Sequence, residues 1–301
     1  MASPQGSVLG PVLFLAMIND LGLLGSVLLF ADDTTIYASD VSPDQARISA
    51  LAKFDEVKEW FAENKLCLNE DKTKEIVCSL SLKDGQISDV AVADEVKLLG
   101  LTLDTKLTWN VHINNICTKL ARITHLLCRL KPMLNQEHLI NVYYALFHSH
   151  ITYGLQLWGH APGCDSVLIL QKRAVRIICS AGFRDPCRPI FARLGIKTVI
   201  GHYVFVSLVY VRDNLATLRK RAEINPYNIR GKDSLDVPYC RLSKKKDSFP
   251  VLAIRMFNSL PACIRELEPR NFRHKINSWL KANPLYAINE YFGANMDSIV
   301  V

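Results

Sequence analysis

The 301-residue sequence predicts an α+β protein in which a sheet-forming part precedes a longer helical one. Three observations predict it. Apolar residues recur at a period near 2 up to about residue 110 and near 3.6 beyond it, the strand and helix spacings respectively. Charge divides at the same place: residues 1 to 110 carry 9 Lys or Arg against 17 Asp or Glu, a balance of −8, whereas residues 111 to 301 carry 27 against 12, a balance of +15. The stretch Val27 to Ala38 sets Asp32 and Asp33 between two apolar runs and reads as two strands joined by an acidic turn.

That turn organises the first part. Neighbouring side chains along a strand point to opposite faces, so two consecutive carboxylates converge only where the chain turns. At about 4 Å two carboxylates repel by roughly 4 kcal/mol at the effective dielectric of a protein surface, which makes a bare pair a poor structural device. A divalent cation removes the conflict, since Mg2+ binds through one or two carboxylates plus substrate phosphates. Taken alone, an Asp-Asp turn is also an ordinary polar hairpin loop.

Taken in order, the chain opens with a Pro-Gln-Gly-Ser loop and enters a helix at Gly10-Pro11, where proline is tolerated in a first turn. After the hairpin, Ser42-Pro43-Asp44-Gln45 predicts a capping box opening a helix with the apolar face Ala50, Leu51, Phe54, Val57 and Phe61. A strand is expected over 75 to 82, a hairpin turn at Lys83-Asp84-Gly85, and a strand pair bent at Gly100 over 96 to 104. Ile113, Ile116, Leu120, Ile123, Leu127 and Leu130 then form one helical stripe that Pro132 stops. Further helices are expected from Asn135, over about 165 to 180, and between Asp185-Pro186 and Gly195, with a buried helix over 199 to 211. Residues 222 to 250 are polar, rich in Pro and Gly, and read as a flexible connection. Trp158 and Trp279 read as core anchors.

Composition is that of a globular, soluble protein. Nine cysteines form no Cys-x-x-Cys pair and no cleavable signal opens the chain, which favours a reducing compartment over a disulfide framework. The apolar stretch Val8 to Phe30 is broken by Gly10-Pro11, Asn19-Asp20 and Gly22, so no membrane span is expected. Cys117, His125 and Cys128 lack a zinc-site spacing, and no P-loop or Ser-His-Asp set is evident.

Pro4-Gln5-Gly6-Ser7-Val8-Leu9-Gly10-Pro11, Ile18-Asn19-Asp20-Leu21 and Phe30-Ala31-Asp32-Asp33-Thr34, in this order, closely resemble the reverse transcriptases of jockey-like non-LTR retrotransposons. Leu66-Cys67-Leu68-Asn69-Glu70-Asp71-Lys72-Thr73-Lys74 is similar to that family's Leu-x-Leu-Asn-x-x-Lys-Thr-Lys segment, and residues 96 to 104 resemble its primer grip. The close of the chain, Phe249 to Leu280, is similar to the tail that many of these polymerases carry. The resemblance implies part of a polymerase palm at 1 to 110, a helical thumb-like region at 111 to 221, a linker at 222 to 250 and a helical tail at 251 to 301.

It further implies RNA-directed DNA polymerisation by two-metal nucleotidyl transfer with Mg2+. Asp32 would be the principal metal-binding carboxylate and Asp33 its neighbour, with Lys72 donating a proton to the departing pyrophosphate. Gln5, Gly6 and Ser7 would line the template and nucleotide pocket, and Leu99 and Gly100 would belong to the primer grip. Lys119, Arg122, Arg129, Lys172, Arg173 and Arg176 would contact the nucleic-acid backbone. The implied partners are an RNA template, a DNA primer and deoxynucleoside triphosphates, with no membrane; the implied location is intracellular, nuclear or cytoplasmic. The family also has a third aspartate well upstream of the Gln-Gly-Ser segment, which this sequence does not contain. The expectation is therefore a truncated open reading frame, inactive alone; the alternative is a non-enzymatic nucleic-acid-binding remnant that uses its basic helices.

Overall fold

The computed structural model describes residues 7–79, 92–224, 227 and 231–299, and is mostly helical with two small antiparallel sheets. Contacts divide the chain into two units, Met1–Leu107 and Thr108–Val301.

In the first unit, α1 (Gly10–Ile18) starts where Ser7 Oγ accepts the Gly10 N–H at 3.0 Å, with Pro11 in the first turn. A 3-10 segment, Asn19–Leu24, carries the chain into Gly25, whose φ of 70° suits a residue without Cβ. Strands β1 (Val27–Phe30) and β2 (Asp33–Ile36) pair antiparallel, from Val27 opposite Ile36 to Phe30 opposite Asp33. Val27, Leu29 and Ile36 pack with Phe14, Trp60 and Phe61 around a small core of Ile18, Leu21 and Val57. Helix α2 (Pro43–Glu63) supplies Val57 and the aromatic pair. The alternate face of β1 is open: Leu28 and Phe30 are exposed, as are Val12, Leu13 and Leu15 of α1.

Ser42 takes the extended backbone of an N-cap, yet its side chain makes no capping hydrogen bond, so the expected capping box does not form. The strand expected over 75 to 82 reduces, in its described part, to a single bridge between Glu75 and Val92. Glu75 instead turns its carboxylate to Arg47 of α2, at 2.8 Å. The turn expected at Lys83-Asp84-Gly85 lies outside the described residues. Beyond it, β3 (Glu95–Leu98) and β4 (Leu101–Asp104) form a separate hairpin whose two turn residues, Leu99 and Gly100, have φ of 46° and 83°. Positive φ at both positions matches the right-handed twist of the strands it joins.

The second unit is helical. Helix α3 (Asn110–Leu130) buries Ile113, Ile116, Leu120 and Leu127 and packs along α7 (Cys164–Ile178). Between them lie α4 (Gln136–Val142), a π-helical stretch Tyr143–His148, α5 (Ser149–Thr152) and α6 (Leu155–Trp158). Asn135 caps α4 by accepting the His138 N–H at 3.0 Å. Helix α8 (Cys187–Leu194) begins after Pro186 and ends at Gly195 in the left-handed region; Asp185 does not cap it but turns back to the Gly182 N–H at 2.7 Å. Helix α9 (Val199–Asp213) is the central element, burying Val199, Tyr203, Val204, Leu208 and Val211. Then follow the short α10 (Arg221–Ile224) and α11 (Ser243–Lys246), α12 (Phe249–Asn258) and α13 (Ala262–Arg265). Helices α14 (Pro269–Ala282) and α15 (Ile288–Gly293) close the unit, α12 and α14 lying against α9.

Two polar joints fix these helices. Gln171, buried in α7, donates to Tyr143 Oη at 2.8 Å and to the Lys197 carbonyl at 2.9 Å, and accepts the Val199 N–H at 2.8 Å. One side chain thereby ties the π-helical stretch to the start of α9. Asn258 brackets the Leu235 backbone, accepting its N–H at 2.9 Å and donating to its carbonyl at 2.8 Å, and the Leu235 side chain is buried. The stretch read as a flexible connection is thus pinned at its centre. Trp158 and Trp279 are both buried. Among the described residues no single helix is long and apolar enough to cross a membrane; α8 and α9 reach that length only together, across a 49° bend.

Candidate active site and basic face

The β1–β2 turn consists of Ala31 and Asp32, with Asp33 opening β2. Ala31 sits at φ 52°, a left-handed conformation that disfavours a residue with Cβ by roughly 1–2 kcal/mol. Packing of Val27, Leu29 and Ile36 into the core sets the register of the hairpin, and that register carries both aspartates to its exposed tip. Among the described residues neither carboxylate has a cationic partner, whereas Lys53, Lys58 and Arg47 nearby in the chain are paired with Glu56, Glu70 and Glu75. Thr34, the next residue, has a buried Oγ1 without a hydrogen-bond partner among the described residues.

Two hard, unpaired oxygen donors on one tight turn fit a partial Mg2+ ligand set of the kind completed by water and substrate phosphates. The described residues contain no group of three or more His, Cys, Asp or Glu placed to hold a metal ion. Lys72 ends a 3-10 turn, Glu70–Lys72, whose N-cap Asn69 accepts the Lys72 N–H at 3.2 Å. Its side chain is exposed, and no hydrogen bond or ion pair joins it to either aspartate. Ser7 is spent on the start of α1, and Gln5 and Gly6 lie outside the described residues. Leu99 and Gly100 form the β3–β4 turn, with the Leu99 side chain partly exposed.

The six basic residues divide. On α3, Lys119, Arg122 and Arg129 fall on one exposed stripe, at helical spacing and opposite the buried face. Lys119 also acts on its surroundings: burial first, and its ammonium second, push the His112 and His150 imidazoles below their ordinary range. Arg173 of α7 is exposed as well. Lys172 instead lies over the Tyr286 ring, 3.8 Å from its centre, and Arg176 donates Nε and Nη2 to the Asp185 carbonyl at 3.1 and 3.0 Å. Both cations thus have partners within the helical unit. The sequence offered no signal for this, because Tyr286 lies 114 positions from Lys172.

With this geometry in hand, comparison with known proteins is decisive for the first unit. Residues 2–103 match the model of the reverse transcriptase (RNA-dependent DNA polymerase) family. This segment belongs to the reverse transcriptase family. An RNA-directed DNA polymerase from the mobile element jockey of Drosophila melanogaster is 29% identical over 202 residues, 59% of this chain and 22% of that protein. A probable RNA-directed DNA polymerase from transposon X-element of the same species is 29% identical over 196 residues, 58% of the chain and 21% of the relative. Another, from transposon BS, is 27% identical over 230 residues, 65% and 24% respectively. These relatives support a reverse transcriptase of non-LTR retrotransposon type, and the chain spans less than a quarter of their length. No solved structure matches.

Proposed function

We propose that the chain carries the rear of a polymerase palm and the thumb of an RNA-directed DNA polymerase that copies an RNA template from a DNA primer with deoxynucleoside triphosphates. One observation carries the reading: the segment that matches the reverse transcriptase family presents two adjacent, unpaired carboxylates at a hairpin tip whose register is set by a packed core. Asp32 and Asp33 would hold Mg2+, which when bound lowers the barrier to nucleotidyl transfer by neutralising charge on the reacting phosphates. The exposed Lys72 is free to move a proton to the leaving group, and Gln5, Gly6 and Ser7 line the nucleotide side. Leu99 and Gly100 approach the primer through a turn with little side-chain bulk at Gly100. The exposed cations of α3 and α7 meet phosphates and position the duplex without reading sequence. Such a protein works inside the cell, in nucleus or cytoplasm.

A second reading, a non-enzymatic nucleic-acid-binding protein, draws on the segregation of charge and the unpaired Lys119, Arg122, Arg129 and Arg173. Primer extension on poly(rA)/oligo(dT) separates the two. Mg2+-dependent extension abolished by Asp32→Asn establishes a polymerase. Binding to the hybrid that depends on the Asp32–Asp33 pair, without extension, supports a palm and thumb acting with a further carboxylate. Binding indifferent to both aspartates establishes the second reading, and no binding at all refutes both.

A further inference from the structure

We infer that the helical unit holds a phosphate-binding site built from Lys197, His202, His148 and Lys281, separate from the stripe on α3. Lys197 lies between α8 and α9, with Nζ 3.7 Å from the centre of the Phe205 ring and 2.7 Å from Asn277 Oδ1 of α14. Among the described residues its ammonium has one hydrogen-bond partner, and that partner is neutral. His202, one turn into α9, meets His148 of the π-helical stretch edge to face at 4.9 Å between ring centres. Its Nδ1 is buried and without a hydrogen-bond partner among the described residues. Lys281 comes from α14, its stem 3.9 Å from the position a Cβ would take on Gly195.

These groups share one electrostatic problem. Burial, then the Lys281 ammonium, pushes Lys197 down to about 8; burial, then Lys197 and His148, pushes His202 down to about 3. His148 is lowered by burial and by Lys197. Among the described residues no carboxylate acts on any of the three. A cluster of nitrogen donors, half-buried and without a counter-charge, is relieved by an anion that accepts several hydrogen bonds at once, and a phosphate supplies both charge and oxygens. All four residues are partly exposed, which opens the edge of the cluster to a ligand, while His202 Nδ1 itself is buried. The π-helical insertion that presents His148 is a local departure of the kind found at functional sites. The start of α9 is not the donor, since Thr198 Oγ1 and Gln171 Oε1 already accept its Gly201 and Val199 N–H groups.

The test uses the full chain and proton–nitrogen NMR of the histidine rings, titrated with inorganic phosphate and separately with a short RNA–DNA hybrid, against sodium chloride at matched ionic strength. Phosphate is expected to shift the His202 and His148 signals saturably and to raise their pKa values. Lys197→Met is expected to weaken phosphate binding by about tenfold, as loss of one charged hydrogen bond should, and His202→Gln to weaken it in the same direction. If the hybrid competes with phosphate, the natural ligand is a nucleic-acid phosphodiester; if it does not, the site takes a free phosphate. Shifts no larger than those with chloride, or binding unchanged in both variants, overturn the inference. The phosphate arm is read without any polymerase assay, so its failure leaves the palm and thumb reading standing.

Discussion

Replacing Lys119, Arg122 and Arg129 together by glutamine is expected to remove a defined part of the salt dependence of hybrid binding. The three side chains share one exposed stripe of α3 and, among the described residues, none is committed to another side chain, so each is available to neutralise a phosphate. Each phosphate contact contributes about 0.9 to the slope of log affinity against log salt on duplex DNA, so the triple variant should lose a slope of about 2.7. Between about 50 and 200 mM salt that amounts to a difference of roughly 40-fold in how steeply wild type and variant weaken. Fluorescence anisotropy with a labelled RNA–DNA hybrid measures both slopes. Arg176→Gln is the control: because its guanidinium is committed to the Asp185 carbonyl, it should leave the slope nearly unchanged and lower stability by about 1 kcal/mol. A triple variant with the wild-type slope, or a control that carries the larger share, would refute the division of the six cations into free and structural.

Gln171→Leu orphans the Lys197 carbonyl and the Val199 N–H, at about 1–3 kcal/mol each, and a urea melt followed by tryptophan fluorescence should show a loss of roughly 3 kcal/mol; a loss below about 1 contradicts the joint. Ala31→Gly should stabilise the hairpin by up to about 1 kcal/mol by relieving the positive φ, read as a rise in the thermal midpoint, with a fall contradicting it. Acid should destabilise the helical unit through His202: its native imidazole resists protonation down to about 3, while the unfolded one, at 6.5, accepts the proton earlier. Stability is then lost as pH falls from 6.5 toward 3, by about 2 kcal/mol at pH 5, and His202→Gln should flatten that slope in phosphate-free buffer. Leu28→Lys should reduce self-association of the chain in light scattering, because Leu28 and Phe30 open an apolar face beside α1; unchanged scattering contradicts this.

What the sequence revealed was whatever local spacing encodes. The hairpin around Asp32 and Asp33 was legible because two apolar runs flank two turn residues, and the buried face of α3 because Ile113, Ile116, Leu120 and Leu127 recur at helical spacing. The Leu99-Gly100 turn followed from strand alternation on either side of a glycine. Contacts between distant residues were not legible. Nothing in the sequence pairs Lys172 with Tyr286, Gln171 with Lys197 and Val199, or Asn258 with Leu235, so the partners that Lys172 and Arg176 have within the fold, and the anchoring of the 222 to 250 stretch at Leu235, emerge only from the structure. Competition between alternatives explains one local miss: the Arg47 ion pair with Glu75 fixes a segment that had been expected to join a strand. The unmade Ser42 cap has no structural explanation.

The central claim is that Asp32 and Asp33 are a metal-binding pair of a polymerase palm. Mn2+ binding to the full chain in the presence of RNA–DNA hybrid and a deoxynucleoside triphosphate, read by electron paramagnetic resonance, tests it directly. The account predicts protein-bound Mn2+ that is displaced by Mg2+ and lost on Asp32→Asn with Asp33→Asn. Equal Mn2+ binding in wild type and the double variant would contradict it.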